Sequence, residues 1–120
     1  MELNEDQKKD LIELQSIQQQ MQLLVMQKQQ LLVQQGELDK ASEEIGKATG
    51  GQLYRFAGGI MIPKEKSVLE SELKEEKESV EVRLNALAKQ EKKLRERFEE
   101  LRKKLEKSFP QLGESASASY

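Results

Sequence analysis

The residue types that most often carry catalysis are missing from this sequence. It contains no histidine and no cysteine, which excludes imidazole acid–base catalysis and thiolate nucleophiles. A metal site would have to consist of carboxylates alone, and no EF-hand spacing occurs among them. Gly46-Lys47-Ala48-Thr49 is similar to the end of a P-loop, but Ala48 follows the lysine where Ser or Thr is required. We therefore expect a protein that is not an enzyme and binds neither a metal nor a cofactor.

Charged side chains are abundant, but positive and negative charges nearly balance, so the protein has no strong overall electrostatic field of one sign. They make up 35% of the residues, and the formal net charge is −2. Lys and Arg are concentrated in residues 89–107, where glutamates are interleaved with them, so a solvated helix face is favoured and nucleic-acid binding is the weaker alternative. The run of apolar and glycine residues that includes Ala57 to Ile62 is too short to cross a bilayer. With a polar start and no signal-peptide pattern, the sequence predicts a cytoplasmic protein without membrane or nucleic-acid partners.

Two long heptad repeats must supply the framework. In the first half, positions seven residues apart are apolar at every site except Asp10: Leu3, Asp10, Ile17, Leu24, Leu31, Leu38 and Ile45. In the second half the same spacing gives Leu73, Val80, Leu87, Leu94 and Leu101. Such repeats are typical of a left-handed coiled coil. We predict helices over 5–45 and 68–109, each about 60 Å long at 1.5 Å per residue, within one domain over 1–112 that is followed by a disordered tail over 113–120.

Local signals mark the expected helix ends. Asn4 with Gln7 is placed to cap the first helix, and Gly46 follows the last apolar repeat position, where a left-handed residue is expected. Ser67 with Glu70 forms a capping-box pattern at the start of the second helix. Two helices of equal length around a short reversal predict an antiparallel pair. The acidic residues 1–14 would then lie beside the basic residues 89–107.

The segment between the helices has the alternation of a β-hairpin. Gln52–Phe56 and Gly59–Ile62 predict two strands around a tight turn at Ala57-Gly58. Leu53 and Arg55 are expected on one face, with Tyr54 and Phe56 on the other. Ile60-Met61-Ile62 is apolar on both faces, and Pro63 is expected to end the pairing. An isolated hairpin is marginal in water and leaves open edges. We therefore predict strand-mediated assembly with other subunits.

Three segments in this order resemble the β-type subunits of the prefoldin family, and most closely the archaeal form. They are IQQQMQLLVMQKQQL over 17–31, QLYRFAGGIMI at the centre and VEVRLNALAKQEKKL over 80–94. The resemblance implies a mainly α fold, a long antiparallel two-helix coiled coil with one central β-hairpin. It further implies that hairpins from two α-type and four β-type subunits join into an oligomeric β-barrel platform. A single hairpin, rather than two, is what assigns the chain to the β type.

The family resemblance also implies a function and its residues. It implies an ATP-independent co-chaperone that captures unfolded proteins at the coiled-coil tips and delivers them to a group II chaperonin. The implied platform residues are Leu53, Tyr54, Phe56, Ile60, Met61 and Ile62. The implied client-binding residues are Leu3, Leu11, Ile12, Leu14, Phe98, Leu105, Phe109 and Leu112. Ile12 is singled out because it directly follows Leu11 in the sequence. The two side chains therefore cannot occupy the same position in the apolar seam of the coiled coil. The alternative is a structural scaffold or tether that assembles through the same coil without binding clients.

Overall fold

The computed structural model describes residues 3–108, which form two helices and two strands. In chain order these are α1 (Glu5–Lys47), β1 (Leu53–Ala57), β2 (Ile60–Lys64) and α2 (Lys66–Ser108). The predicted architecture of two long helices around one central hairpin is confirmed. The predicted tail over 113–120 and the predicted helix end at residue 109 lie outside the described residues.

The two helix starts are capped differently. At α1, Asn4 Oδ1 accepts the backbone N–H of Gln7 at 2.8 Å, and Gln7 Oε1 accepts the N–H of Asn4 at 3.0 Å. This reciprocal pair satisfies two of the free donors of the first turn. The capping role predicted for Ser67 is wrong, because α2 already begins at Lys66 and Leu69 N–H bonds to the carbonyl of Glu65.

The end of α1 is also later than predicted. Gly46 is helical rather than left-handed, and α1 continues to Lys47. The Lys66 ammonium donates to the carbonyl of Ala48 at 3.0 Å and lies 3.4 Å from that of Gly46. A lysine from the next helix therefore satisfies carbonyls that a left-handed glycine would otherwise cap.

The hairpin turn lies one residue later than the sequence pattern suggested. Ala57 pairs with Ile60, so the turn is Gly58-Gly59 and not Ala57-Gly58. Both glycines have positive φ, 57° and 80°, which is the type I′ geometry that matches strand twist. The pairing also continues past the predicted stop, because Pro63 lies opposite Tyr54 and Lys64 opposite Leu53. Proline interrupts a β-ladder only where its missing N–H would bond to the paired strand. The backbone nitrogen of Pro63 faces away from β1, so the pairing with β1 loses no hydrogen bond.

The chain forms two compact units, and each has its own apolar cluster. One unit, residues 29–85, contains the hairpin and buries three residues together: Leu38, Leu73 and Val80. The other unit, described over residues 3–28 and 86–108, buries a larger cluster: Leu14, Ile17, Met21, Phe98, Leu101 and Leu105. In each cluster, residues of the predicted α1 seam pack against those of the predicted α2 seam, as an antiparallel pair requires.

Candidate functional site

The hairpin presents one apolar face to solvent. Strand alternation puts Tyr54 and Phe56 on the same face as their cross-strand partners Pro63 and Met61. Phe56 is 72% exposed and Met61 is 64% exposed, and Tyr54 and Pro63 are exposed as well. We call these four residues the outer face. Nothing within residues 3–108 covers most of its apolar surface, as is typical of an assembly interface in an isolated subunit.

Ion pairs join the opposite face of the hairpin to α2. Arg55 Nη1 donates to Glu72 at 3.1 Å, and its Nη2 donates to Glu76. Lys64 Nζ reaches the other oxygen of Glu72 at 2.8 Å. Arg55 lies on β1 and Lys64 on β2, so both strands are tied to the first turns of the same helix. We call this set the hairpin clamp, and it lies on the face of the hairpin opposite the outer face.

The hairpin clamp changes the acidity of its members. The hydrogen bond from Lys64, reinforced by Arg55, lowers the pKa of Glu72. Hydrogen bonds to Glu76 and then Glu72 raise the pKa of Arg55. Both shifts favour the charged forms, so the hairpin clamp is strongest when Glu72 is ionised.

Within the unit of residues 3–28 and 86–108, ion pairs join residues close in sequence to those of the buried cluster. Arg97 Nη2 contacts Glu13 Oε2 at 2.8 Å, and Lys104 Nζ contacts Asp10 Oδ2 at 2.9 Å. The Arg97 hydrogen bond lowers the pKa of Glu13, and Asp10 raises the pKa of Lys104. The predicted pairing of the acidic segment with the basic one is therefore confirmed for these side chains.

The residues predicted to contact clients occupy different environments. Three are in the buried cluster: Leu14, Phe98 and Leu105. Leu11 packs against that cluster, and Leu3 is half-buried. Ile12 is 66% exposed and is the only one of the described six that presents most of its side chain to solvent. Phe109 and Leu112 lie outside the described residues.

The residues predicted to form the β-barrel platform also differ in their exposure to solvent. Tyr54, Phe56, Ile60 and Met61 are exposed, whereas Leu53 and Ile62 are half-buried on the face of the hairpin clamp. Sequence reasoning did not find the clamp partners Glu72 and Glu76. Their spacing of four residues on α2 gives them one common face, but nothing in the sequence marks that face as the one against Arg55.

Comparison with known proteins decides the family. A family profile described as "Prefoldin subunit" matches residues 8–111. The chain belongs to the prefoldin subunit family. It is 46% identical over 100 residues to "Prefoldin subunit beta" of Thermococcus gammatolerans, covering 82% of this chain and 86% of the relative. It is 43% identical over 95 residues to the protein of the same name from Thermococcus onnurineus, covering 78% and 82%.

A solved structure agrees with that assignment. The fold is similar to the crystal structure of the prefoldin beta subunit from Thermococcus strain KS-1, with a TM-score of 0.81 and 37% identity over 89% of this chain and 95% of that one. Prefoldin subunits are chaperone components that work in assemblies with other prefoldin subunits, and they are not known as enzymes. Within residues 3–108, neither helix has an apolar stretch long enough to span a bilayer.

Proposed function

We propose that this prefoldin subunit captures unfolded proteins at the ends of its helices, without ATP, and delivers them to a group II chaperonin. The observation that carries the proposal is the exposure of Ile12, an apolar side chain outside the buried cluster at the N-terminal end of α1. Apolar contact is non-directional, so it suits clients that share no sequence. Delivery to a chaperonin would place the protein in the cytoplasm.

The proposed assembly contains two α-type and four β-type subunits, with this chain as one of the β type. The outer face supports a role in that assembly, because its apolar side chains have no cover within residues 3–108. Hairpins from several subunits would bury these side chains in a shared β-barrel platform. The proposed platform residues are Leu53, Tyr54, Phe56, Ile60, Met61 and Ile62.

Client contact is proposed for Leu3, Leu11, Ile12, Leu14, Phe98, Leu105, Phe109 and Leu112. These residues differ in whether a client could reach them in the folded subunit. Ile12 is accessible as it stands, whereas Leu14, Phe98 and Leu105 would become accessible only if the two helices separated. The first contact of a client is therefore assigned to Ile12.

The test is suppression of aggregation by the assembled protein. The chain is assembled with an α-type prefoldin subunit, and a guanidinium-unfolded enzyme is diluted into it without nucleotide while light scattering is followed. Ile12→Gln is expected to weaken suppression several-fold. The matched control is Val82→Gln, which removes a similarly exposed apolar group (67%) from the other unit. If both variants suppress aggregation as well as the wild type, capture at Ile12 is wrong.

A structural scaffold is the second candidate, and one observation favours it. Leu14, Phe98 and Leu105 close the apolar cluster instead of facing solvent, so the coil has no need of a client to bury them. A scaffold predicts normal assembly with no effect on scattering. The same experiment separates the two functions, since the wild-type assembly either suppresses aggregation or does not.

A further inference from the structure

A groove lined by both helices lies within the unit described over residues 3–28 and 86–108. Its volume is about 400 Å³, which falls within the usual range of ligand sites in proteins. Leu24 and Leu94 are half-buried in it, and Leu23, which also lines it, is 59% exposed. The remaining lining residues are polar and exposed: Gln20, Gln27, Gln90 and Lys93. We call this site the amide groove.

The amide groove follows from an interruption of the apolar seam by charge. Leu24 and Leu94 occupy seam positions, and the neighbouring seam positions are Lys28, four residues after Leu24, and Glu91, three residues before Leu94. Charged side chains keep their ends in water, so the buried cluster does not extend to these positions. Leu94 packs against that cluster without joining its buried residues. The two leucines are therefore left partly open to solvent.

Three glutamines supply the polar part of the amide groove. The side chains of Gln27 and Gln90 make no hydrogen bond within residues 3–108. The amide nitrogen of Gln20 donates to Ser16 Oγ at 3.1 Å, and its carbonyl oxygen remains an acceptor. A glutamine amide can both donate and accept, so it can bond to the unpaired N–H and C=O groups of an extended peptide. An α-helix has already paired those groups internally, so the glutamines favour an extended segment over a helical one.

Lys93 adds a charge preference. It is the one charged side chain among the residues that line the amide groove, and it makes no ion pair within residues 3–108. An ammonium group in this position attracts a carboxylate and repels lysine or arginine. A segment with an acidic residue beside an apolar one therefore fits the amide groove better than a segment with a basic residue there.

We propose that the amide groove binds an extended segment of an unfolded polypeptide. An apolar side chain of the segment lies against the three leucines, the glutamine amides bond to its backbone, and Lys93 pairs with an acidic residue next to it. Gln20 lies eight residues after Ile12, about 12 Å along α1, so the groove is a second contact apart from the proposed first one. This inference rests on the proposed capture of unfolded proteins, and it assigns to the groove the retention of a client after capture.

The first experiment removes apolar surface from the amide groove. The chain is assembled with an α-type prefoldin subunit, and the probe is fluorescently labelled lactalbumin that reduction and carboxymethylation keep unfolded. The dissociation rate of the probe is measured after unlabelled probe is added in excess. Leu23→Gln is expected to speed dissociation about three- to tenfold, because burial of part of a leucine is lost. The matched control is Met26→Gln, at a residue of the same exposure (59%) outside the groove, and it should change the rate less than about twofold.

The second experiment separates hydrogen bonding from apolar contact. Gln27→Met and Gln90→Met keep the side-chain length and the helix propensity, but they remove the amide and make the groove more apolar. Loss of a backbone hydrogen bond is expected to speed dissociation of the same probe about two- to fivefold for each substitution. A groove that bound by apolar contact alone, or that held an amphipathic helix, would release the probe more slowly in both variants. Circular dichroism checks that each variant retains its helices.

The third experiment tests the charge preference. Two unfolded ten-residue peptides, identical except for an aspartate or a lysine next to a single phenylalanine, compete with the labelled probe for the assembled protein. The aspartate peptide is expected to compete at a concentration about two- to fivefold lower than the lysine peptide. Lys93→Glu should reverse that order.

The outcomes distinguish this inference from the proposed function. If Leu23→Gln releases the probe no faster than Met26→Gln, the site is wrong. If the two glutamine variants release the probe no faster than the wild type, recognition of an extended backbone is wrong, and equal competition by the two peptides overturns the role of Lys93. Capture itself is unaffected by these results as long as the wild-type assembly suppresses aggregation. A wild-type assembly that neither binds the probe nor suppresses aggregation overturns capture and this inference with it.

Discussion

Phe98 offers the sharpest test of whether a predicted client contact is instead part of the core. Phe98 is 1% exposed in the buried cluster of the unit described over residues 3–28 and 86–108. Replacing a buried phenylalanine with alanine costs about 3–5 kcal/mol, including the cavity that is left. The buried side chains here come from only two helices, which can close partly around a cavity. We therefore expect Phe98→Ala to lower the free energy of unfolding by about 3 kcal/mol.

The assay is urea unfolding of the chain at a fixed concentration, followed by circular dichroism. With a urea slope of about 1.5 kcal/mol per molar, a loss of about 3 kcal/mol lowers the midpoint by about 2 M. Val82→Ala, at a 67% exposed position, is the control and is expected to change stability by less than about 0.5 kcal/mol. Backbone amides around Phe98 should lose protection from hydrogen exchange. Those of Leu73 and Val80 should keep their protection because these residues belong to the other cluster.

Two results would refute the reasoning. A loss below about 1 kcal/mol for Phe98→Ala would mean that the ring is not a packed core residue. The second concerns function: Phe98 is proposed to contact a client only when the two helices separate, so at a temperature where the variant stays folded its suppression of client aggregation should equal that of the wild type. A loss of suppression as large as that of Ile12→Gln would instead mean that Phe98 takes part in the first contact with a client.

Two further predictions concern the hairpin. The lowered pKa of Glu72 means that its pairing with Lys64 stabilises the fold above the unfolded pKa near 4.5 and is lost as pH falls through the lower folded value. Urea unfolding across that range should therefore show a smaller pH dependence in Glu72→Gln, while the exposed control Glu78→Gln keeps the wild-type profile. Gly59→Ala should destabilise the hairpin by about 1–2 kcal/mol because its φ is +80°, whereas Gly58→Asn, at φ +57°, should be tolerated. Hydrogen exchange of the hairpin amides measures the effect of each glycine substitution. Equal protection in the two glycine variants would contradict the turn geometry.

Much of the fold could be predicted because it depends on periodicity. A seven-residue repeat identifies the residues of the seam without knowledge of their partners, and Ile17, Leu38, Leu73, Val80 and Leu101 are all buried as expected. The alternation along β1, with Tyr54 and Phe56 on one face and Leu53 and Arg55 on the other, could be predicted equally well. Both patterns follow the backbone periodicities of helix and strand, so they can be recognised without knowledge of the tertiary contacts.

The wrong or missing predictions have two causes, competing local signals at the turn and contacts between distant segments elsewhere. Ala57-Gly58 and Gly58-Gly59 both suit a tight turn, but only the second pair puts glycine at both positions of positive φ. Gly46 looked like a helix end, yet Lys66 caps the carbonyls from 18 and 20 residues away in sequence. Contacts of that kind depend on how segments meet in space, and no local pattern encodes them. The hairpin clamp from Arg55 to Glu72 and Glu76 was missed for the same reason.

The apolar residues of this chain fall into two groups, and the distinction bears directly on function. Those in the buried cluster, such as Leu14 and Phe98, already have apolar neighbours, so a binding partner would have to compete with the partner helix for them. Those off the seam, such as Ile12 and the outer-face residues Phe56 and Met61, keep most of their surface exposed within residues 3–108. Burial of an apolar side chain contributes about 1.5–3 kcal/mol when it starts from water and much less when it exchanges one apolar contact for another. The off-seam residues therefore hold most of the free energy available for binding, and substitutions there should affect partners before they affect the fold.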